Sequence, residues 1–292
     1  MKNINITKNR KLFFIISCIL LLISIGSLFI NGLNFGIDFI GGTIIEAKLG
    51  QTFKTEEIRE ITDAFDKSAD ITYSGDEKSI VIINTKKDFT QDEIKEIKSQ
   101  FITKYGITEN EISPINVSPT IGNELKTQAL IATGVAILGM LIYITFRFEF
   151  IFGMAAILAL AHDILIVLGV YSIFQIQVNI PFIAAILTIL GYSINDTIVV
   201  FDRIRENRKK YKRHQLADLV NDSISQTITR SINTSVTTLL AIGALYFLGV
   251  QAIKDFALPM IVGFISGTYS SIFIASSFWF TINDKKLTKT HK

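Results

Sequence analysis

The side chains best placed to do chemistry lie in residues 187–207, where an apolar helix carries Asn195 and Asp196 and then ends in arginines. An ionisable group inside a bilayer is costly unless it is paired or hydrated, so it marks a candidate functional site. Asp196 precedes the predicted helix end at Phe201 by five residues, which places it about 8 Å inside that boundary. A carboxyl group at this depth is a natural proton carrier. The alternative is an aspartate whose side chain merely reaches the cytoplasmic interface.

A second charged residue stands before the fifth apolar segment. Arg230 is followed by a run of hydroxyl and amide side chains: Ser231, Asn233, Thr234, Ser235, Thr237 and Thr238. Helical spacing places Arg230, Thr234 and Thr237 on one face of this segment. Composition alone favours a simpler interpretation, in which Arg230 is a positively charged anchor at the cytoplasmic surface.

A histidine and an aspartate are adjacent on the third apolar segment. His162 and Asp163 lie about twelve residues from its cytoplasmic end, near the bilayer midplane, so one of them must face other helices. Two interpretations are open: structural hydrogen bonds to the Ser/Thr-rich fifth segment, or a relay or second proton carrier beside Asp196. Ser193 and His162 also suggest an intramembrane protease, but Ser193 lies in an unbroken helix whose N–H groups cannot form an oxyanion hole.

Motifs of other enzyme classes are absent from the sequence. It contains no H-E-x-x-H, no Walker loop and no glycine-rich dinucleotide motif, so we expect no enzymatic activity, no metal and no organic cofactor. Protons are the coupling ion that a buried carboxyl group would serve. The net charge of +3 gives no reason to expect nucleic-acid binding.

The elements that must position these residues are membrane helices. Hydrophobic residues make up 49% of the chain, and six segments reach the length of about 20 apolar residues that a bilayer requires. They are residues 12–30, 127–146, 151–174, 180–201, 232–251 and 256–280. We interpret residues 1–30 as a cytoplasmic N-terminus with an uncleaved first helix, and residues 126–282 as a five-helix bundle.

Lysine and arginine set the predicted orientation. They cluster at the N-terminus, between Arg203 and Arg213, and in the last eight residues. Six helices place these three zones on one side, which the positive-inside rule makes cytoplasmic. The link 202–229 and the tail 283–292 are then cytoplasmic, and contact with anionic lipids explains their charge. Apolar positions spaced along the second half of the link predict an amphipathic helix on the membrane surface.

Residues 31–125 form a polar insert on the outer side. Alternating β-branched residues and helical spacing predict the order βαββαβ, with a capping box at Thr90 and Glu93. This order suggests an α+β ferredoxin-like domain. Gly36, Gly41 and Gly42 allow a tight exit from the first helix into the first strand.

Three blocks of sequence resemble one family. GIDFIGGT at residues 36–43, ALAHDILIVLG at 159–169 and GYSINDTIVVFDRIREN at 191–207 occur in the order found in SecF members of the SecD/SecF family, which are relatives of RND exporters. In the first block the motif positions are Gly36, Asp38, Gly41, Gly42 and Thr43. We interpret Asp38 as a turn residue or a contact to a partner.

The resemblance implies a function and a set of partners. It implies a subunit of the Sec translocase in the bacterial plasma membrane, which works with SecD and the SecY-SecE-SecG channel on translocating preproteins. It also implies that Asp196 pairs with Arg230 in a salt bridge that forms and breaks with protonation. The residues themselves add Asn195, His162 and Asp163 as weaker candidates for proton coupling. The alternatives are an RND-type small-molecule exporter and a scaffold that transports nothing.

Overall fold

The computed structural model describes residues 5–75 and 79–290. The first half of the chain contains α1 (Ile6–Ile30), β1 (Asn34–Phe35), α2 (Ile37–Ile40), β2 (Gly42–Lys48), α3 (Thr55–Thr62), β3 (Asp70–Ser74), β4 (Ile80–Thr85), α4 (Gln91–Tyr105) and β5 (Ile112–Val117). The second half contains α5 (Pro119–Arg147), α6 (Phe150–Ile173), β6 (Gln177–Val178), α7 (Ile180–Asn207), α8 (Leu216–Leu248), α9 (Gln251–Tyr269) and α10 (Ser276–Thr290). A π-helical segment, Ser270–Ala275, joins α9 to α10.

Six helices of the described chain are long and apolar enough to cross a membrane, as predicted. They are α1, α5, α6, α7, α8 and the continuous α9–π–α10 helix. Residues of α6, α7 and α9–π–α10 form most of the buried bundle, whereas α1, α5 and α8 expose apolar side chains over most of their length. An exposed apolar surface of this kind suits lipid or a neighbouring helix.

Glycines bring α9 close to α7. A Cβ atom on Gly263 would lie 2.4 Å from Ile189, and one on Gly267 would lie 3.0 Å from the Cβ of Ser193. Gly263 and Gly267 form a G-x-x-x-G pair that serves helix packing, because the absence of their side chains allows this close approach.

The prediction of an amphipathic helix on the membrane surface is wrong. Those residues form the first turns of α8, which begins at Leu216 rather than near residue 232. Their apolar side chains pack into the bundle core with Ile204 of α7 and Trp279 of α10. Hydrogen bonds of 3.0 Å from the Asn207 amide to Ser223 and Gln226 lock the two helices together. These residues do form an amphipathic helix, but its apolar face packs against protein instead of lipid.

The outer domain follows the predicted order βαββαβ. Its four strands form an antiparallel sheet in the order β3-β4-β2-β5. Helices α3 and α4 cover one face, and the core contains Ile45, Ala47, Ile58, Ile61, Val81, Ile83, Ile97 and Phe101. The capping box at Thr90 and Glu93 is present. The insert ends earlier than residue 125, because Ser118 caps α5 and Pro119 begins it.

A buried aspartate ties the end of the first domain helix to the sheet. Asp66 accepts hydrogen bonds from the backbone N–H of Ser68 (2.9 Å), the hydroxyl of Ser68 (2.6 Å) and the hydroxyl of Thr85 (2.5 Å). Burial by itself disfavours the charged carboxylate, but these hydrogen bonds outweigh it and hold the pKa of Asp66 below its ordinary value.

Candidate functional site

Asp196 lies in the interior of α7 and is only 3% exposed. Within the described residues it forms no ion pair, and its Oδ2 atom is buried without a hydrogen-bond partner. Native proteins satisfy nearly all such atoms, so this one calls for an explanation. Asn195, its neighbour, points out of the bundle and is exposed. The structure thus places the candidate carboxyl group inside and separates it from the adjacent amide.

Arg230 lies about four turns inside α8, because that helix begins earlier than predicted. Its side chain is exposed and lines a cavity of about 330 Å³ between α5, α7 and α8. The structure forms no salt bridge between Arg230 and Asp196 among the residues it describes. Their direct pairing stays a prediction.

Asp163 has the opposite surroundings. It is completely buried on α6, and its Oδ2 accepts hydrogen bonds from Ser193 of α7 and from Ser270, both at 2.7 Å. Its Oδ1 accepts another, also at 2.7 Å, from Ser266 of α9. His162 Nδ1 lies 3.1 Å from the same oxygen. We call Asp163, Ser193, Ser266 and Ser270 the serine cage.

The partners of Asp163 were assigned to the wrong helix. The structural interpretation expected hydrogen bonds to the fifth membrane helix, but the three serines lie on α7 and on the sixth. The Ser193 hydroxyl donates to Asp163, so it is not paired with His162 as a protease dyad requires. His162 is 4% exposed, and its Nε2 is buried without a partner in the described structure.

A π-helical segment that the sequence pattern did not predict also lines the site. It follows Tyr269 and carries two consecutive serines into the bundle: Ser270 reaches Asp163, and Ser271 lies 2.8 Å from the Thr197 hydroxyl. Pairs of serines at 270–271 and 276–277 were the available signal, because hydroxyl side chains in the middle of an apolar helix need partners. Single π-turns occur frequently at functional sites.

A polar stripe crosses the outside of the bundle at membrane depth. Thr188 and Asn195 on α7 are exposed, and so are Arg230, Asn233 and Thr237 on α8. Lipid tails offer no hydrogen-bond partners, and polar membrane residues therefore face helices or water. We call these five residues the polar stripe; all five are exposed in the part of the chain that the structure describes.

The glycine motif lies where the bundle meets the outer domain. Asp38 accepts a 2.9 Å hydrogen bond from the backbone N–H of Ile180 and so caps the start of α7, which makes it a contact within the chain. Gly42 has φ +140° and a Cβ there would lie 2.1 Å from the carbonyl oxygen of Thr85. Gly41 has φ +83° and packs on Pro119. Thr43 Oγ1 is 3.0 Å from the Lys87 carbonyl oxygen. The tight turn at Gly41 and Gly42 therefore joins α2 to β2, and not the first membrane helix to the first strand as predicted, because β1 and α2 lie between α1 and β2.

Two family patterns match this chain. Residues 97–285 match the family described as protein export membrane protein SecD/SecF, C-terminal, and residues 26–52 match the SecD/SecF GG motif. The chain belongs to the SecD/SecF family. The second match contains Gly41 and Gly42, and the first contains Asp163, Asp196 and Arg230. The family and the six-helix fold predicted from the sequence are confirmed.

Individual members agree with this assignment. The chain is 41% identical to protein translocase subunit SecF of Sebaldella termitidis, over 94% of this chain and 90% of that protein. It is 39% identical to protein translocase subunit SecDF of Bacillus subtilis, of which it covers 38%. The crystal structure of SecDF from Thermus thermophilus, a translocon-associated membrane protein, superposes with a TM-score of 0.80 at 38% identity. That match covers 97% of this chain and 39% of that one.

Proposed function

We propose that the chain is a SecF-like subunit of the Sec translocase of the bacterial plasma membrane. In this proposal it works with a SecD-like partner and uses the proton motive force to promote export of preproteins. The observation that carries the proposal is the carboxyl group of Asp196, which is buried in a membrane helix and has an oxygen without a hydrogen-bond partner.

Protons are the proposed coupling ion. A carboxyl group without fixed hydrogen bonds loses no interaction when it binds a proton, whereas its charged form gains from a nearby cation such as Arg230. The cavity beside Arg230 is also lined by Val199, one turn from Asp196 on the same helix. Water in this cavity would provide a route for protons. One charge that crosses 100 mV is worth about 2.3 kcal/mol, which shifts a two-state equilibrium about fifty-fold.

The polar stripe supports a helical partner. The exposed amides of Asn195 and Asn233 and the guanidinium group of Arg230 need partners that lipid cannot supply, whereas the hydroxyls of Thr188 and Thr237 donate to carbonyl oxygens of their own helices. The SecDF relatives extend well beyond the part that this chain matches, and we propose that a SecD-like partner covers the stripe here. The SecY-SecE-SecG channel and the emerging preprotein are proposed as further partners, and anionic lipids as contacts of the basic link.

The orientation is part of the proposal. The lysine and arginine distribution puts both termini in the cytoplasm and the outer domain on the opposite side. Because no site for substrate chemistry stands among the described residues, we propose that the chain does its work by moving rather than by enzymatic catalysis.

One substitution with a matched control tests the proposal. Asp196→Asn keeps the shape of the side chain but cannot exchange a proton, while Asp202→Asn changes a carboxylate on the same helix that is 38% exposed and paired with Arg205. We expect Asp196→Asn to abolish the part of preprotein export that an imposed proton gradient adds in membrane vesicles containing SecD and SecY-SecE-SecG. Asp202→Asn should retain it.

Three other outcomes would contradict the proposal. Normal gradient-dependent export by Asp196→Asn would favour the scaffold. Failure of a SecD-like chain to co-purify in mild detergent would remove the proposed partner. Gradient-dependent extrusion of small dyes, with preprotein export unaffected by deletion of the chain, would favour an RND-type exporter.

A further inference from the structure

We infer that Asp163 is a positioning residue, which holds the turn of α7 that carries Asp196 and does not itself carry protons. The inference deepens the proposed function and rests on the role of Asp196 given there. It assigns to the serine cage the task of setting the environment in which Asp196 binds and releases a proton.

The donor count in the cage defines the state of Asp163. Three hydroxyls donate to its two oxygens at once: Ser193 and Ser270 to Oδ2, and Ser266 to Oδ1. A carboxylate can accept all three through its two oxygens, whereas an added proton would turn one acceptor site into a donor that only a re-oriented hydroxyl or the Nδ1 atom of His162 could accept. The cage therefore suits Asp163 as a fixed acceptor of hydrogen bonds.

The cage reaches Asp196 through the flanks of its helical turn. Ser193 precedes Asp196 by three residues, and Thr197 follows it directly. Ser193 donates to Asp163, while Thr197 lies 2.8 Å from Ser271, whose hydroxyl also donates to the Ser193 carbonyl oxygen. Both flanks are thus held from outside α7, and Asp196 between them makes no hydrogen bond of its own through Oδ2.

The π-helical segment makes this double contact. It lets consecutive residues, Ser270 and Ser271, serve Asp163 and α7 respectively, and Ser276 donates to the Ser271 carbonyl oxygen. Neighbouring side chains of a regular α-helix point 100° apart. The local widening of the π-helical segment therefore suits contacts that two neighbouring residues make on the same side of the helix. Gly267, one turn earlier, keeps this helix within contact distance of Ser193.

The charged and titratable groups near the assembly are few in the part of the chain that the structure describes. His162 lies on the helix of Asp163, and Tyr269 faces His162 from α9 with ring centroids 6.0 Å apart. Arg230 on α8 lines the same cavity as Val199, which lies one turn from Asp196. Ser266 cannot titrate and contacts Asp163 instead of Asp196. Any effect of Ser266 on the protonation of Asp196 must therefore pass through the cage.

Infrared spectroscopy of the purified full-length chain in lipid nanodiscs tests this without an export assay. The C=O band of the protonated Asp196 carboxyl group is identified by its loss in Asp196→Asn and is followed against pH. We expect Ser266→Ala to move the midpoint of the Asp196 titration by about half a pH unit or more. The matched control is Ser277→Ala, which removes a buried hydroxyl on the same long helix that has no partner and should leave the midpoint in place.

Ser266→Cys, a weaker donor of similar size, should give a shift in the same direction but smaller, and it replaces Ser266→Ala if that variant does not fold. An unchanged midpoint in folded Ser266→Ala or Ser266→Cys overturns the inference. A second carboxyl band that titrates with Asp196 and disappears in Asp163→Asn also overturns it, because Asp163 would then carry protons. If the midpoint moves as expected while Asp196→Asn exports normally, the proposed function fails and the positioning role stands.

Discussion

Asp163 and Asp196 occupy neighbouring helices of the same buried bundle, and each is less than 5% exposed. The first receives three serine hydroxyls at 2.7 Å, and the second has an oxygen with no partner. Hydrogen-bond donors stabilise the charged form of a carboxyl group, whereas burial without a partner disfavours that form, so a nearby cation can decide the protonation state of an unpartnered carboxyl group. The comparison separates a structural aspartate from a candidate proton carrier that composition could not distinguish.

The largest expected effect comes from removing the cation near Asp196. Arg230→Met should abolish gradient-dependent export without preventing membrane insertion, because a lone carboxylate in a low-dielectric site stays neutral. The double variant with Asp196→Asn should export no worse than either single variant, because both remove the same switch. Export is measured in vesicles with an imposed proton gradient. The matched control, Arg147→Met, removes another arginine that lines the same cavity and should leave gradient-dependent export intact.

Additive losses of export in the double variant would contradict this prediction, because Asp196 and Arg230 would then act separately. Full activity of Arg230→Lys would show instead that a point charge suffices and that the planar guanidinium has no special part.

A difference in stability should follow from the same contrast. Asp163→Asn replaces an acceptor oxygen by an amide N–H₂ group that faces serine donors, so we expect a loss of about 1–3 kcal/mol in the free energy of unfolding. Asp196→Asn removes a charge without a fixed partner and should change this free energy by less than about 1 kcal/mol. Thermal unfolding of both purified variants in the same detergent measures the difference. Equal destabilisation would mean that Asp196 has partners this structure does not form.

The sequence was sufficient for those features that depend on local pattern. Six apolar segments gave the six helices, alternation gave the strands of the outer domain, and Thr90 with Glu93 gave the capping box. Asp196 stood out because it interrupts an apolar run. These features need only neighbours along the chain, which is why the pattern of residue types predicts them.

Features that depend on residues distant along the chain could not be predicted from the sequence. Ser266 and Ser270 lie more than a hundred residues from Asp163, so nothing near Asp163 indicated its partners. The start of α8 was placed too late because an amphipathic pattern does not say whether lipid or protein receives its apolar side. The π-helical segment leaves no mark in hydrophobic periodicity at all. Whether Asp196 and Arg230 pair directly stays a prediction for the same reason, since the two residues lie on different helices.

Asp66, in the domain between α1 and α5, is a third carboxyl group that can be compared with Asp163 and Asp196. Like Asp163 it accepts hydroxyl donors, here from Ser68 and Thr85, and they hold its pKa below the ordinary value although burial opposes them. Asp66 should therefore behave as a structural carboxylate whose contribution to the stability of the fold depends on pH. Because burial offsets part of the stabilisation by the hydrogen bonds, we expect Asp66→Asn to have a smaller effect than the changes at Arg230 and Asp163.

The sign follows from linkage. A carboxyl group with a lower pKa in the folded than in the unfolded chain stabilises the fold fully above the unfolded value of about 4, and this stability is lost as the pH falls through the folded pKa. Hydrogen–deuterium exchange of β4 amides in the full-length chain measures it. Near pH 6, Asp66→Asn should exchange several-fold faster than the wild type, and the ratio of the two rates should approach one as the pH falls below about 4. Using the ratio at each pH cancels the intrinsic pH dependence of exchange. A ratio that stays constant down to the lowest pH at which the chain is folded would show that Asp66 acts through shape alone, and that serine and threonine donors do not by themselves identify a carboxylate held in its charged form.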